Sequence, residues 1–140
     1  MTKLRGGYYT PDPVARFLAA WVGDSGDRLL EPSCGDGAIL RHLPMRGSTV
    51  GVELDELEAA AASMRAPESE VITSDLFAWF DESQIGEWDG VAGNPPFIRF
   101  QHWQADARER AFDLMRSAGL RPSKLTNAWV PFTEIGRAHV

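Results

Sequence analysis

The sequence predicts an α/β fold in which helices cover both faces of a parallel sheet. Four short apolar segments, each suited to a buried strand, alternate along the chain with segments of helical character. This alternation is typical of βαβ units, whose consecutive strands run parallel. The chain has 140 residues, of which 44% are hydrophobic and 24% charged. That length and composition suit one globular domain with a core of its own.

The individual elements follow from apolar spacing and from the positions of Pro and Gly. The predicted strands are residues 28–31, 49–53, 70–73 and 88–92. The predicted helices after the first strand are residues 38–43, 55–64, 76–80 and 105–117, and a further apolar element begins at Asn127.

The first helix is predicted to start at Thr10 and Pro11, because a hydroxyl cap followed by proline favours a helix start. One apolar face then recurs at i, i+3, i+4 and i+7. Its members are Val14, Phe17, Leu18 and Trp21.

Charge and cysteine content exclude several function classes. The net charge is −6 and the pI is about 5.0, so the chain does not bind its partners mainly through a basic nucleic-acid arm or a polybasic membrane patch. A nucleic-acid substrate stays possible through a local basic surface or through parts of the protein not present here. One cysteine and three scattered histidines give no disulfide framework and no metal-ligand spacing. Without an apolar signal core or membrane span, we expect a cytoplasmic domain with no metal and no membrane partner.

Polar residues follow each of the four predicted strands. They are Glu31, Glu53, Asp75 and Asn94. In a parallel sheet, ligands bind beyond the carboxyl ends of the strands. We therefore expect these four side chains to share one edge of the sheet and to form a site there.

Residues 31–37, Glu-Pro-Ser-Cys-Gly-Asp-Gly, form a tight loop between the first strand and the next helical segment. Gly35 and Gly37 permit unusual dihedral angles and close backbone approach. The loop lacks the third glycine of a dinucleotide fingerprint and the Gly-Lys-Ser/Thr of a phosphate-binding loop. The pattern alone also fits an ordinary strand-to-helix turn.

The next two strand ends each allow two interpretations. Glu53 stands where an acidic residue accepts hydrogen bonds from ribose hydroxyls, or it is a solvated strand end. Asp75 can accept the exocyclic amine of an adenine ring while Phe77 packs on that ring. Alternatively, Asp75 caps a helix and Phe77 is a core residue.

Residues 94–97, Asn-Pro-Pro-Phe, carry the most specific signal. Two prolines have no main-chain donor, so this loop presents carbonyl acceptors on a rigid backbone. The side-chain oxygen of Asn94 adds an acceptor, and Phe97 adds a flat face for stacking. Together they would cradle an amino group.

In this order, the motifs resemble the N-terminal half of S-adenosylmethionine-dependent DNA amino-methyltransferases, above all the adenine-specific gamma class of restriction–modification systems. The resemblance covers residues 4–132. Residues 5–11 match a segment that holds the methionine end of the cofactor, and 31–37 match the first cofactor loop. The implied cofactor-binding residues are Tyr9, Thr10, Glu31, Ser33, Cys34, Gly35, Gly37, Glu53 for the ribose, and Asp75 with Phe77 for the adenine. The implied catalytic residues are Asn94, Pro95, Pro96 and Phe97.

The resemblance implies a Rossmann-like class I methyltransferase fold, with the C-terminal part of the sheet missing. It also implies direct methyl transfer from S-adenosylmethionine to the N6 amine of adenine in DNA. The Asn94 side-chain oxygen and the Pro95 carbonyl would accept the two amine hydrogens, and Phe97 would stack on a base that has left the duplex. No covalent intermediate is needed, so Cys34 is interpreted as a small packing residue. The partners would be DNA, bound through a C-terminal recognition domain absent here, and a restriction endonuclease, separate or fused.

Two alternatives stay open. Methyltransferases that modify glutamine in release factors or guanine N2 in RNA also use Asn-Pro-Pro and an aromatic residue, although the Tyr-Tyr-Thr-Pro segment at 8–11 argues against them. A non-catalytic remnant or binding module is the other alternative, and the intact 94–97 motif argues against it.

The last seven residues are predicted to be foreign to the protein. Residues 134–140 can be encoded by GAG-ATC-GGA-AGA-GCA-CAC-GTC, which resembles a widely used sequencing adapter. We therefore expect a partial catalytic domain at 1–133 that naturally continues past about Phe132, and weak or no activity from this chain alone. A genuine short C-terminus is the alternative.

Overall fold

A computed structural model of the chain describes residues 9–80 and 87–138, and within them four parallel strands form one sheet. The strand order is β3-β2-β1-β4. The strands are β1 (Arg28–Glu31), β2 (Ser48–Glu53), β3 (Glu70–Thr73) and β4 (Gly90–Val91). The helices are α1 (Asp12–Gly23), α2 (Glu56–Arg65), α3 (Leu76–Trp79), α4 (Ala105–Ser117) and α5 (Trp129–Ala138). The predicted parallel α/β architecture is confirmed.

Helices cover both faces of the sheet, as the burial of consecutive residues of β1 requires, because neighbouring side chains of a strand point to opposite faces. Leu29 packs on one face with small residues of α1 and α2, such as Ala19 and Ala62. Leu30 packs on the other face with residues of α3, α4 and α5, such as Ala111. Both leucines are fully buried, so β1 lies at the centre of the fold.

The predicted helix at 38–43 is wrong. The structure has only a short 3-10 turn there, at Leu40–His42. Pro44 disfavours helical geometry at the residue before it, and Leu43 is extended with φ −67° and ψ 133°. The segment therefore turns into β2 instead of continuing as a helix.

The start of α1 also differs from the prediction. Its N-cap is Pro11 and the helix begins at Asp12, with no side-chain capping hydrogen bond. The Thr10 hydroxyl is engaged elsewhere, because it accepts a hydrogen bond from Asn94. Thr10 is thus not a helix cap.

The apolar face predicted for α1 is largely exposed. The helix buries small residues instead, namely Ala15, Ala19 and Gly23. The exposed fractions of the large side chains are 47% for Val14, 59% for Phe17 and 69% for Trp21. Small residues let the helix lie close to the sheet, whose Gly90 has no room for a Cβ beside Val22. Spacing alone could not show which of the two faces would pack.

Residues 134–138, the described part of the segment predicted to be foreign, form the second half of α5. Ile135 is 1% exposed and belongs to the core beside α4. The division of the chain at residue 133 stays a prediction, and residues 139–140 lie outside the described ranges. Across residues 9–80 and 87–138, every helix is too short or too polar to cross a bilayer.

Candidate functional site

The topology places a crevice at the carboxyl ends of β1 and β4. From β1 the chain adds β2 and β3 on one side, and then returns to add β4 on the other. This reversal is the topological switch point, where open parallel sheets bind ligands. The loop after β1 and Asn94 after β4 meet here, because both strands end at the same edge.

The loop after β1 is shaped by two glycines with positive φ. Gly35 has φ 53° and Gly37 has φ 85°. The Gly35 N–H donates to Glu53 Oε2 at 2.9 Å, and the Asp55 N–H donates to Glu53 Oε1 at the same distance. Glu53 therefore fixes the loop to the end of β2. Each carboxylate oxygen can accept a further hydrogen bond, so the predicted contact with ribose hydroxyls is compatible with this geometry.

Gly37 is required for packing, and Gly37→Ala is expected to lower the free energy of unfolding by about 2–4 kcal/mol. A Cβ there would lie 3.0 Å from the Ala62 Cα, so the main chain of α2 would have to shift by a few tenths of an ångström. Gly119→Ala is the matched control, since Gly119 has φ 81° with nothing within 4 Å of an added Cβ. The control should lose only the dihedral cost, about 1–2 kcal/mol. Urea unfolding of both variants measures the difference, and equal losses would contradict the packing role of Gly37.

Glu31 is the most unusual residue of the crevice. Its side chain is 2% exposed, and among the described residues its Oε2 has no hydrogen-bond partner. Burial raises the pKa of this carboxyl well above its usual range, and nearby Glu53 and Asp36 add to the effect. A buried carboxylate oxygen without a partner is costly for the protein alone. It is therefore suited to a positively charged or hydrogen-bond-donating ligand.

Cys34 is a packing residue, as the sequence suggests. It is 4% exposed, and its N–H donates to Val52 O at 3.0 Å. A Cβ on Gly51 would lie 2.9 Å from the sulfur, so the thiol fills the space above β2. Burial raises the pKa of the Cys34 thiol, which keeps it protonated and poorly nucleophilic at neutral pH.

Asn94 is bound to both neighbouring segments. Its Nδ2 donates to Thr10 Oγ1 at 3.4 Å, and its main-chain oxygen accepts from Ser33 Oγ at 3.4 Å. The residues before α1, the loop after β1 and the loop after β4 thus converge on one amide side chain.

The residues before α1 are anchored on both sides of the crevice. The Tyr9 hydroxyl donates to Glu58 Oε1 of α2 at 2.9 Å. Asp12, at the start of α1, pairs with Arg41 and His42 beyond the loop after β1. Hydrogen bonds from Arg16 and His42 hold the pKa of the Asp12 carboxyl well below its usual range. The segment therefore lies across the crevice in a fixed position. Residues 5–8 of the predicted segment lie outside the described ranges.

These segments enclose what we call the switch-point pocket. Seven of the predicted site residues line it: Tyr9, Thr10, Glu31, Ser33, Cys34, Gly35 and Asn94. Sequence reasoning missed three others that also line it: Asp36, Ala38 and Ile39. All three lie in or directly after the Gly-Asp-Gly turn, so the turn itself was the available signal.

The two residues predicted to contact the adenine of the cofactor, Asp75 and Phe77, make contacts within the protein. Asp75 accepts the N–H of Ala78 as the N-cap of α3 and pairs with Arg110 Nη2 at 3.5 Å. Phe77 is 8% exposed and packs in the core against Trp103 and Phe132. Phe77 thus occupies the core position that the sequence left open as the alternative, because α3 turns that side chain towards α4 and α5, and its contact with an adenine stays a prediction. Neither residue lines the switch-point pocket.

The rest of the Asn-Pro-Pro-Phe motif extends outward from Asn94. Pro95 and Pro96 are half-buried. Phe97 is 53% exposed, as a residue that stacks on an incoming base would need to be. These three residues do not line the switch-point pocket, but they directly follow Asn94, which does. Within the described residues, no group of histidine, cysteine and acidic side chains could hold a metal ion.

Three curated proteins are similar in sequence to the chain. It is 30% identical over 103 residues to the modification methylase CviBIII of Paramecium bursaria Chlorella virus NC1A, covering 67% of the chain and 26% of that protein. It is 34% identical over 98 residues to the type II methyltransferase M.TthHB8I of Thermus thermophilus, covering 66% and 21%. It is 30% identical over 130 residues to the ribosomal RNA small subunit methyltransferase C of Chromohalobacter salexigens, covering 85% and 37%. The chain thus spans less than two fifths of each relative. No protein-family model matches it.

Solved structures share the fold at lower identity. The methyltransferase subunit of a type I restriction–modification system from Streptococcus thermophilus aligns with TM-score 0.69 and 21% identity, over 99% of the chain and 33% of that subunit. A Listeria monocytogenes protein assigned to the class I S-adenosylmethionine-dependent methyltransferases aligns with TM-score 0.64 and 20% identity, over 93% and 42%. The chain has the class I methyltransferase fold. The predicted fold and the resemblance to DNA modification methylases are therefore confirmed.

A third solved structure shares the fold. An amino pentose methyltransferase from Micromonospora echinaspora, solved with bound S-adenosylmethionine, aligns with TM-score 0.52 and 24% identity over 83% of the chain and 49% of that protein. In the present chain the switch-point pocket is lined by Glu31, whose Oε2 has no hydrogen-bond partner among the described residues.

Proposed function

We propose that the chain is the cofactor-binding and catalytic part of an S-adenosylmethionine-dependent DNA methyltransferase that modifies the N6 amine of adenine. The observation that carries the proposal is the convergence of Asn94 and Glu31 on one pocket at the switch point. Glu31 supplies a carboxylate for a cation, and Asn94 starts a loop of acceptors suited to an amine.

The chemistry of the pocket fits the cofactor. S-adenosylmethionine carries two positive groups, a sulfonium and an ammonium, against one carboxylate. Glu31 and Asp36 line the pocket, and Glu53 accepts a hydrogen bond from Gly35 in the loop after β1. Of these, Asp36 pairs with Arg65 at 2.7 Å, while Glu31 has a buried oxygen without a partner in the part of the chain that the structure describes. Glu31 and the loop after β1 would hold the methionine end, and Glu53 the ribose.

The residues of the chain then act on the amine of the base. When bound, the cofactor supplies an electrophilic methyl group on positively charged sulfur. The Asn94 side-chain oxygen and the Pro95 carbonyl accept the two hydrogens of the adenine amine. These fixed acceptors would favour the pyramidal nitrogen, whose lone pair would form the new N–C bond while the S–C bond breaks and its electrons stay on sulfur, and they need no reorganisation as charge develops. The methylated nitrogen would then lose one of its two original hydrogens as a proton to water. The exposed Phe97 ring stacks on the flipped base.

DNA is the proposed substrate because two of the sequence relatives are a modification methylase and a type II methyltransferase. RNA is the second candidate, since the ribosomal RNA methyltransferase is similar over a larger share of the chain, 85%. An endonuclease partner, a DNA-recognition domain and a cytoplasmic location stay predictions.

Methyl transfer to competing acceptors tests the substrate class. The chain, and the full-length natural protein that carries it, are incubated with tritiated S-adenosylmethionine and with equal amounts of DNA, RNA and protein. We expect label in DNA, with slow turnover by the chain alone. Label only in RNA or only in protein would overturn the DNA assignment.

Asp75 separates a cofactor role from a structural one. Asp75→Asn keeps a good helix cap, so it should leave stability nearly unchanged, whereas Asp75→Ala should lower it by about 1 kcal/mol. If the carboxylate accepts the adenine amine of the cofactor, both variants weaken binding of S-adenosylhomocysteine about tenfold, as expected for a hydrogen bond to a charged group. Calorimetric binding and thermal unfolding measure the two effects. An unaltered dissociation constant for both variants would contradict the adenine assignment.

A further inference from the structure

Thr10 and Asn94 touch although 84 residues separate them in the chain. The Asn94 Nδ2 donates to Thr10 Oγ1 at 3.4 Å. Both residues line the switch-point pocket, and on the opposite side the main-chain oxygen of Asn94 accepts from Ser33. The hydroxyl of Thr10 makes no capping bond to α1. Its contact with Asn94 therefore needs another explanation than helix capping.

The two ends of a carboxamide differ in what they offer. The nitrogen is only a donor and the oxygen is only an acceptor. A substrate amine presents hydrogens, so only the oxygen end of Asn94 is useful in the proposed reaction. A half-turn about the last side-chain bond would present the wrong end. A neighbouring group that can only accept from Nδ2 selects the useful orientation, and a hydroxyl does so once its own hydrogen is donated elsewhere.

We propose that Thr10 is a positioning residue that orients the Asn94 carboxamide with its oxygen towards the substrate amine. The inference rests on the proposed function, because it assigns Thr10 to the same site. A threonine hydroxyl has two acceptor positions and one hydrogen. Thr10 can thus accept from Asn94 and donate its own hydrogen to a ligand in the pocket, which links the cofactor side to the acceptor loop.

The surroundings hold Thr10 in place for this role. It is followed by Pro11, whose ring fixes one backbone dihedral angle. Asp12 then ties the start of α1 to Arg41 and His42. Tyr9, the residue before it, is bound to Glu58 of α2. Thr10 is therefore presented to Asn94 by a rigid segment rather than by a free loop.

Side-chain amide spectra of the isotope-labelled 140-residue chain test the orientation directly. The Asn94 carboxamide signals are assigned by their loss in Asn94→Ala. Thr10→Val, which keeps shape and removes the hydroxyl, should shift these signals and increase their mobility, while Thr10→Ser should restore them. Thr133→Val is the matched control, because Thr133 lies exposed on α5 and should leave the Asn94 signals in place. Unchanged Asn94 signals in Thr10→Val would overturn the proposal.

Three further measurements complete the test. In the wild-type chain, the Asn94 amide protons should show a cross-relaxation signal to the Thr10 side chain, and its absence would overturn the proposal even if Thr10→Val fails to fold.

Thr10→Val should lower the rate of methyl transfer about three- to tenfold, the value of one neutral hydrogen bond. The dissociation constant for S-adenosylhomocysteine should change less than the rate. Weakened cofactor binding with unchanged Asn94 signals would make Thr10 a cofactor ligand only. The spectra do not depend on methyl transfer, so the two proposals can fail separately. If the spectra show that Thr10 orients Asn94 but DNA receives no label in the transfer assay, the proposed function is overturned and the role of Thr10 is not.

Discussion

Asn94→Ala is expected to reduce methyl transfer about 100- to 1,000-fold, the usual effect of removing one preorganised polar group from a transition state. The substitution deletes the side-chain oxygen that accepts from the substrate amine, and it also removes the contact with Thr10. Cofactor affinity should stay nearly unchanged, because the carboxylates that face the cation belong to other residues. Tritium transfer measures the rate, and calorimetry with S-adenosylhomocysteine measures the affinity.

Asn127→Ala is the matched control for Asn94→Ala. Asn127 accepts the N–H of Trp129 at the start of α5 and does not line the switch-point pocket. Its loss should cost about 1 kcal/mol of stability and leave the transfer rate in place. Equal turnover in wild type and Asn94→Ala would refute the role of the acceptor loop.

Glu31→Gln is expected to have opposite effects on stability and on cofactor binding. The glutamine resembles the protonated side chain, so it avoids the cost of an ionised carboxylate in a site that is 2% exposed. We expect the variant to be more stable at pH 8 by about 1–3 kcal/mol. It should bind the cofactor about 10- to 100-fold more weakly, because a charge-assisted hydrogen bond to the ammonium is lost.

The sign of the pH dependence follows from the raised pKa of Glu31. Above the pKa of the unfolded chain, the folded protein binds more protons at this position than the unfolded one. Wild-type stability should therefore fall as pH rises from about 4.5 through the folded pKa. Cofactor binding should strengthen over the same range and release a proton, because the cation favours the ionised form. In Glu31→Gln the part of both dependences that comes from this carboxyl should disappear, while Glu53, whose pKa is also raised by burial, should leave a smaller fall of stability with pH.

Glu70→Gln is the matched control for Glu31→Gln, since Glu70 lies exposed at the start of β3. Urea unfolding between pH 5 and 8 gives the stabilities, and calorimetry in buffers of different ionisation enthalpy gives the proton release. A Glu31→Gln protein that is less stable at pH 8 and binds the cofactor as well as wild type would contradict the account of this carboxylate.

The sequence is sufficient to predict most of the residues that line the pocket, because polar residues after short apolar runs mark the ends of the strands. Glu31, Glu53 and Asn94 each follow an apolar run, and parallel strands bring such positions to one edge. The glycines of the loop after β1 indicate its sharp turn, and the structure gives both of them positive φ. What could be predicted is therefore what depends on local pattern together with the parallel topology.

The remaining features depend on packing that no local pattern specifies. Phe77 is equally consistent with a ligand contact and a core position until α4 and α5 are seen to cover it. The large apolar residues of α1 predicted one face, but the helix packs close to Gly90 through an adjacent face of small residues, together with the partly buried Leu18 and Val22. The contact between Thr10 and Asn94 depends on how α1 lies across the sheet, so the sequence could not show it.

The most direct test of the proposed function is to identify the methylated base. DNA treated with tritiated S-adenosylmethionine and the chain is digested to nucleosides, which are separated by chromatography. We predict that the label is N6-methyldeoxyadenosine and that Asn94→Ala abolishes it. Label in a cytosine derivative, or in an adenine derivative whose amount is the same in Asn94→Ala, would contradict the proposed site.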